Sequence, residues 1–375
     1  MQLVYLDNNA TTPALPAVRD AVGAILGDEF GNPSSPTIQG AQALERVVSA
    51  RDAVAHLIGA DAHHILFTSG CTEGNNTVMR RALEEPRRLI TTATEHASIA
   101  AVADWLEAAN VEVVRLTGAD GRVSSQQVEA ALADGASLVS IQWANSETGV
   151  LQPIEAIADV CRLAGVPLHV DAAQAVGRLP IDLQSCPIDY LTFSGHKLHA
   201  PQGIGVTFAR GPDSLPPLLL GGGQEAGQRA GTENLPGIAG LRVACETRAR
   251  HLPNAIAQMQ KLRDRLEQGI LASVPGVIVN AADSPRVCNT TNIRFPVDGQ
   301  ALVAQLSAAG VVCSQTSACS SKSPEPSRVL TAIGLSRDEA FASVRFSFSY
   351  LNTEQDVDVA VNAIAGICER LPSLD

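Results

Sequence analysis

Tyr190-Leu-Thr-Phe-Ser194-Gly-His196-Lys197 is an apolar run that ends abruptly in polar residues. Upstream, Val166-Pro-Leu-His-Val170-Asp171-Ala-Ala-Gln174 has the same form and ends in an acid. Each reads as a buried strand whose last residue reaches the mouth of a parallel sheet, the edge at which open α/β sheets hold ligands. Working outward, similar apolar runs predict strands at His64–Thr68, Arg88–Ala93, Val111–Leu116, Leu138–Trp143 and Gly203–Ala209, alongside Pro167–Asp171 and Asp189–Ser194. Helical patterns begin between them near Glu73, Ser98, Ser125 and Pro153. This alternation argues for an α/β fold with a large, mainly parallel seven-stranded sheet covered by helices.

The rhythm changes after Leu235. A long helical stretch runs from about Pro236 to Ser273, with a kink expected near Pro253. Shorter strands follow at Val277–Val279, Asn289–Arg294 and Val344–Phe348, with helices near Gly299–Ala309 and Glu354–Arg370. The expected division is a large domain over residues 13–250 and a smaller α+β domain made of 1–12 and 251–375. The strand near Leu3–Leu6 joins one of the two.

Composition narrows the function classes. Over 375 residues, 45% are apolar and 18% charged, ordinary for a globular enzyme. The net charge of −12 comes without a basic stretch to track phosphates, so nucleic acid is not the expected partner. No run is long and apolar enough to span a membrane, and no secretory signal pattern follows Met1. Eight cysteines are scattered without a CxxC pair, so no metal site is expected of them and a reduced, cytoplasmic setting fits best.

A lysine able to form a Schiff base and an acid able to hold a pyridine nitrogen protonated are the two groups that pyridoxal 5′-phosphate needs most. Lys197 and Asp171 are the candidates. Thr68-Ser-Gly70-Cys71-Thr72-Glu73 follows a strand and opens a helix, where backbone N–H groups and the Thr72 hydroxyl make an anion site for a cofactor phosphate; a simple N-cap is the alternative. Ser194 and His196 flank the lysine and could donate to the same phosphate. His96, in Thr94-Glu-His96 after another strand, could stack on a ring and move protons, or merely cap a helix. Gln174 could donate to the ring's phenolic oxygen. Gly221–Asn234 is a glycine-rich loop with one Arg and one Thr, read either as a ligand-approach loop or a surface loop. Arg345 could fork onto a substrate carboxylate or form a structural ion pair. Cys319 lies among small polar residues, an exposed context unlike that of Cys161, Cys245 and Cys368, which sit in apolar helical patterns.

Taken in order, these pieces resemble the class V aminotransferase-like cysteine desulfurases of the NifS/IscS family. The likeness runs from about Tyr5 to Thr353 through Tyr5-Leu-Asp-Asn-Asn-Ala-Thr-Thr-Pro13, Gly31-Asn-Pro-Ser-Ser35, Phe67-Thr-Ser-Gly70, Ser146-Glu-Thr-Gly149, His169-Val-Asp171, Ser194-Gly-His-Lys197, Gly231-Thr232, Ser317-Ala-Cys319 and Val344-Arg-Phe-Ser347. The resemblance implies a fold-type I, pyridoxal-phosphate-dependent homodimer. It implies Lys197 as the Schiff-base lysine, Asp171 on the pyridine nitrogen, His96 over the ring and Gln174 on the ring oxygen. Thr72, Ser194 and His196 would hold the phosphate, with Thr232 supplied by the other subunit. Arg345 would bind the carboxylate of L-cysteine, and Cys319 would receive its sulfur as a persulfide for an acceptor or iron–sulfur scaffold protein. Cys71 stands where the family has Ala, and Ser146 where it has a second Asn, which leaves Asn145 or a water as the expected ring-oxygen contact there. The alternatives are a selenocysteine lyase or C–S lyase, an aminotransferase, and a weakly active partner protein in sulfur transfer.

Overall fold

The structure is a computed structural model that describes residues 3–211, 215–315 and 325–374. The chain opens with β1 (Val4–Tyr5), then two helices, α1 (Pro16–Leu26) and α2 (Ile38–Ile58). Alternation follows: β2 (Ile65–Thr68), α3 (Cys71–Met79), β3 (Arg88–Thr92), α4 (Ala97–Ala108), β4 (Glu112–Leu116), α5 (Ser125–Leu132), β5 (Leu138–Gln142), α6 (Ile154–Ala164), β6 (Leu168–Asp171), β7 (Tyr190–Ser194) and β8 (Gly205–Ala209). The remainder holds α7 (Leu235–Ser273), β9 (Ile278–Val279), β10 (Thr290–Arg294), α8 (Gly299–Ala308), β11 (Val311–Val312), α9 (Arg328–Ala332), α10 (Arg337–Phe341), β12 (Ser343–Ser347) and α11 (Glu354–Cys368).

The seven strands read from the sequence form one sheet in the order β2-β8-β7-β6-β5-β3-β4. Strand β8 runs antiparallel to both β2 and β7, and all other pairings are parallel. Hence β2, β3, β5, β6 and β7 all end on one edge of the sheet. Every residue of β3, β5, β6 and β7 is buried, as expected of strands with helices on both faces, whereas the edge strand β4 is only partly covered.

Helices α1 and α2 lie in a stretch to which the sequence reading assigned no element. The buried stripe of α2 is built largely from small residues, Ala43, Val47, Ala50 and Val54, which give a shallow apolar period. α7 runs as one helix of 39 residues with Pro253 inside it. The first part of α7 packs into the core under the large sheet through Leu235, Ile238, Leu241 and Cys245. Its later part, from Ala255 to Ile270, packs into a second core with β10, β12, α8 and α11. β1 pairs in parallel with β11, and Val4 and Leu6 enter that second core. α7 therefore fixes one core against the other, and the N-terminal segment crosses between them.

Candidate active site

The common edge of the strands gathers the chemistry. Asp171 is the last residue of β6, Ser194 the last of β7, and Lys197 follows in the tight turn Gly195–Lys197. Thr68 ends β2, and Gly70 turns the chain into α3. That turn presses against β8: a Cβ added to Gly205 would lie 2.5 Å from the Gly70 Cα, so only glycine permits the approach. His96 caps the start of α4, its Nδ1 accepting from the Ser98 N–H at 3.1 Å. A cavity of about 240 Å³ is lined by Lys197, Asp171, His96, Gln174, Arg345 and Ser194, with Cys71, Thr72, His196 and Ser146 also on its wall.

Electrostatics in the cavity suit a basic amine and a fixed acid. Lys197 Nζ donates to the carbonyl oxygens of Asn9 and, at 2.7 Å, Ala10. Burial, then the nearby Arg178 and Arg345 charges, lowers its pKa to about 8. The Asp171 carboxylate accepts from Asn75 Nδ2 at 2.8 Å and from the Ala173 N–H at 3.0 Å. Cys71 Sγ lies 3.4 Å from Asp171 Oδ1, and burial pushes its thiol well above the usual range, so the sulfur keeps its proton and donates. Ser194 Oγ accepts from the Cys71 N–H at 2.8 Å, leaving its own O–H to donate into the cavity. His196 is half-buried and held down at about 4, chiefly by burial, so its imidazole is neutral.

Arg345 is 2% exposed and lies on β12. It donates to Asp7 Oδ1 at 2.6 Å and to the Ser146 carbonyl at 3.1 Å. The ion-pair reading therefore holds; Nε of Arg345 is buried and has no partner among the described residues, and the residue lines the cavity. A buried N–H of a charged group without an acceptor calls for an explanation, and an anionic ligand group is one of several. Gln174 donates to the Asn9 carbonyl at 3.1 Å and accepts from Arg178.

Two expectations fare differently. The structure does not bring Asn145 to the cavity. Its Nδ2 donates to the Thr94 carbonyl at 3.0 Å and its Oδ1 accepts from the N–H groups of Glu147 and Thr148, both at 2.9 Å. The side chain is used up in folding its own turn, and Ser146 faces the cavity instead. Thr232 is exposed and is not among the residues lining the cavity of its own chain. The glycine-rich loop carrying it is tied down: Glu225 takes both Arg51 nitrogens, at 2.9 and 2.7 Å, and the Phe67 N–H at 2.9 Å, while Arg229 meets Glu73 at 3.0 Å. Cys319 lies outside the described residues.

Several supporting residues escaped the sequence reading. Asn75, one turn after Cys71 on α3, also donates to Ser98 Oγ at 2.8 Å and accepts from Thr192 Oγ1 at 2.5 Å. His169 links Ser140 at 2.8 Å to Thr192 at 3.1 Å and is neutral, lowered to about 4 by burial. Their signal was positional: Thr192 and His169 lie two residues before Ser194 and Asp171, on the same strand faces. Asn9, one of two buried asparagines in the N-terminal segment, holds both Lys197 and Gln174 through its carbonyl.

The residues present fit pyridoxal phosphate. An amine of lowered pKa, a doubly anchored carboxylate, a helix N-terminus beside two hydroxyls and an arginine line one cavity.

Comparison with known proteins gives the family. Residues 4–359 match the family model for aminotransferase class-V. A cysteine desulfurase of Nostoc sp. (strain PCC 7120) is 44% identical over 379 aligned residues, covering 100% of this chain and 95% of the relative. The solved structure of a NifS-like protein superposes with a TM-score of 0.92 at 33% identity, covering 99% of this chain and 100% of that one. Another, SspA in complex with cysteine, superposes with a TM-score of 0.82 at 36% identity, covering 93% and 99%.

Proposed function

This chain belongs to the aminotransferase class-V family, and from that premise we propose that it is a pyridoxal-phosphate-dependent cysteine desulfurase. It converts L-cysteine to L-alanine and passes the sulfur through Cys319 to an acceptor. The observation that carries the reading is the convergence of Lys197, Asp171, His96 and Arg345 on one cavity. The bound cofactor supplies a carbonyl for amine capture and a ring that accepts the electron pair of a carbanion.

The chain's own residues divide the remaining work. Asp171, fixed by Asn75 and the Ala173 amide, holds the ring nitrogen. The first turn of α3 with Thr72, Ser194 and His196 holds the phosphate. Gln174 serves the ring oxygen, and Ser146 lines the wall beside it. Arg345 would take the substrate carboxylate while Asp7 and the Ser146 carbonyl keep its fork oriented. Lys197, with its proton loosely held, captures the cofactor and moves the proton at the substrate Cα. His96, fixed by Ser98, would carry a proton within the site. The Cys319 thiolate forms an S–S bond with the substrate sulfur as the substrate C–S bond breaks. The sulfur stays as a Cys319 persulfide, and the carbon skeleton, reprotonated, leaves as alanine.

The chain acts as a homodimer in this reading, with Thr232 reaching the phosphate in the other subunit. A sulfur-acceptor or iron–sulfur scaffold protein then relieves Cys319 of its cargo. A reducing, cytoplasmic setting suits a thiol that must stay free between cycles. No helix among the described residues is long and apolar enough to cross a membrane.

The test is a single turnover of cofactor-loaded protein with L-cysteine and no reductant. One extra sulfur on Cys319 with matching alanine is the expected result. Cys319→Ala should retain the cofactor absorbance yet lose both products. Alanine at the full rate from that variant would remove Cys319 from the mechanism.

A further inference from the structure

The turn that joins α2 to β2 carries Asp61, His63 and His64 within the tight Ala62–His64 helical turn. It lies at the start of β2, whereas the cofactor turn follows the end of that strand. Asp61 occupies the N-cap position but makes no side-chain capping bond. Neither imidazole has a hydrogen-bond partner among the described residues. One carboxylate oxygen and one nitrogen from each imidazole all lie within 4.8 Å of one another. The two rings are 3.9 Å apart at 48°, and His64 is steadied by an edge contact to Phe208 at 5.6 Å. Burial and the adjacent His63 and Arg210 lower the pKa of His64 against the opposing pull of Asp61. The donors of Arg210 are turned away, onto the carbonyls of Ile188, Leu183 and Cys186.

Three good donors of two chemical kinds thus converge with nothing between them. Neutral imidazole is the commonest protein ligand for first-row metals, and two imidazoles with one carboxylate suit zinc, nickel or cobalt rather than the all-oxygen preference of magnesium or calcium. We propose that Asp61, His63 and His64 bind a divalent transition-metal ion of this class, with water completing its coordination. Metal–nitrogen bonds of about 2.0–2.1 Å require the donors to close by roughly 1 Å, within reach of side-chain rotation on an exposed turn. The bound ion would fix the turn that leads from α2 into the sheet's edge strand. It would therefore stabilise the folded state in proportion to metal saturation, while the catalytic cavity, at the other end of β2, keeps its residues.

The experiment is calorimetric titration of the cofactor-loaded protein with Ni²⁺ after chelator treatment, beside thermal unfolding with and without the ion. One saturable site is expected, with a rise in melting temperature. His63→Gln and His64→Gln should each weaken it by about tenfold or more, and Asp61→Asn should weaken it less. The wild-type protein supplies an independent reading: Ni²⁺ should protect His63 and His64, and not His251, from acylation of their imidazoles as followed by peptide mass. Absence of saturable binding below millimolar Ni²⁺ overturns the proposal. So does binding that survives the double His63→Gln, His64→Gln variant, because the ion would then sit on other ligands such as thiols, and so does a lack of protection at the two histidines.

Discussion

Lys197 is the residue on which the pH behaviour turns. Its ordinary pKa is 10.5, and burial with Arg178 and Arg345 brings it to about 8. A lowered lysine pKa means the neutral, nucleophilic amine is populated from about pH 8 upward rather than only above 10. Capture of pyridoxal phosphate by the cofactor-free protein should therefore accelerate as pH rises toward 8 and level off beyond it. Stopped-flow absorbance of the lysine-bound cofactor checks this, and continued acceleration toward pH 10 would contradict the burial argument. Cys71 offers a second residue-level expectation. Its thiol donates to Asp171 and touches Thr192 Oγ1 at 3.4 Å, so it steadies the acid from below. Cys71→Ala removes one donor and a buried sulfur and should cost about 1–2 kcal/mol of stability. Cys71→Ser, which restores a donor, should recover the cofactor's dissociation constant where Ala does not. Equal cofactor affinity in all three proteins would show that the thiol only fills space.

At the level of elements, the glycine-rich loop is held by charge rather than by packing. Glu225 is nearly buried, with Arg51 of α2 and the Phe67 N–H of β2 both donating to it. Removing one partner of such a pair strands the other, a loss of about 3 kcal/mol. Glu225→Ala should lower the urea midpoint accordingly and expose the 221–231 loop to proteolysis, whereas Arg229→Ala, which breaks a more exposed pair, should do less. This anchoring was not legible in the sequence, because a bidentate contact between residues 51 and 225 leaves no local pattern. What was legible followed from burial. All seven strands of the large sheet announced themselves as apolar runs, and their ends gave Asp171, Ser194 and Lys197 directly. Helix α2 was missed because its buried face is alanine and valine. Asn145 was ambiguous because an asparagine looks the same in sequence whether its amide faces a ligand or closes a turn, and its amide closes a turn. Arg345 was equally ambiguous, because an arginine reads the same in sequence whether it only pairs with Asp7 or also takes a ligand.

Across the whole molecule, the cavity as built by one chain is short of one predicted phosphate donor. Thr232 is exposed, and the loop that carries it is clamped by Arg51. On α2, Leu44 and Val48 lie one turn apart on the flank that leads to Arg51. Both are about half exposed, Ile38 at the start of the helix is 75% exposed, and Leu220 at the start of the loop is 84% exposed. Apolar side chains left in water beside a pinned polar loop are what a second copy of the chain would cover. The chain should therefore run as a dimer in light scattering, and Thr232→Ala should weaken cofactor binding by about tenfold or more, the loss of one hydrogen bond to a charged group. Subunit mixing separates donation across the dimer from donation within a chain. A Lys197→Ala chain cannot hold the cofactor covalently, and a Thr232→Ala chain holds it poorly. If Thr232 serves the opposite site, a hybrid of the two contains one site with both residues intact, and co-refolded mixtures should regain normal cofactor affinity in up to half of their hybrid sites. If Thr232 serves its own chain, every site in the hybrid lacks one residue and mixing restores nothing.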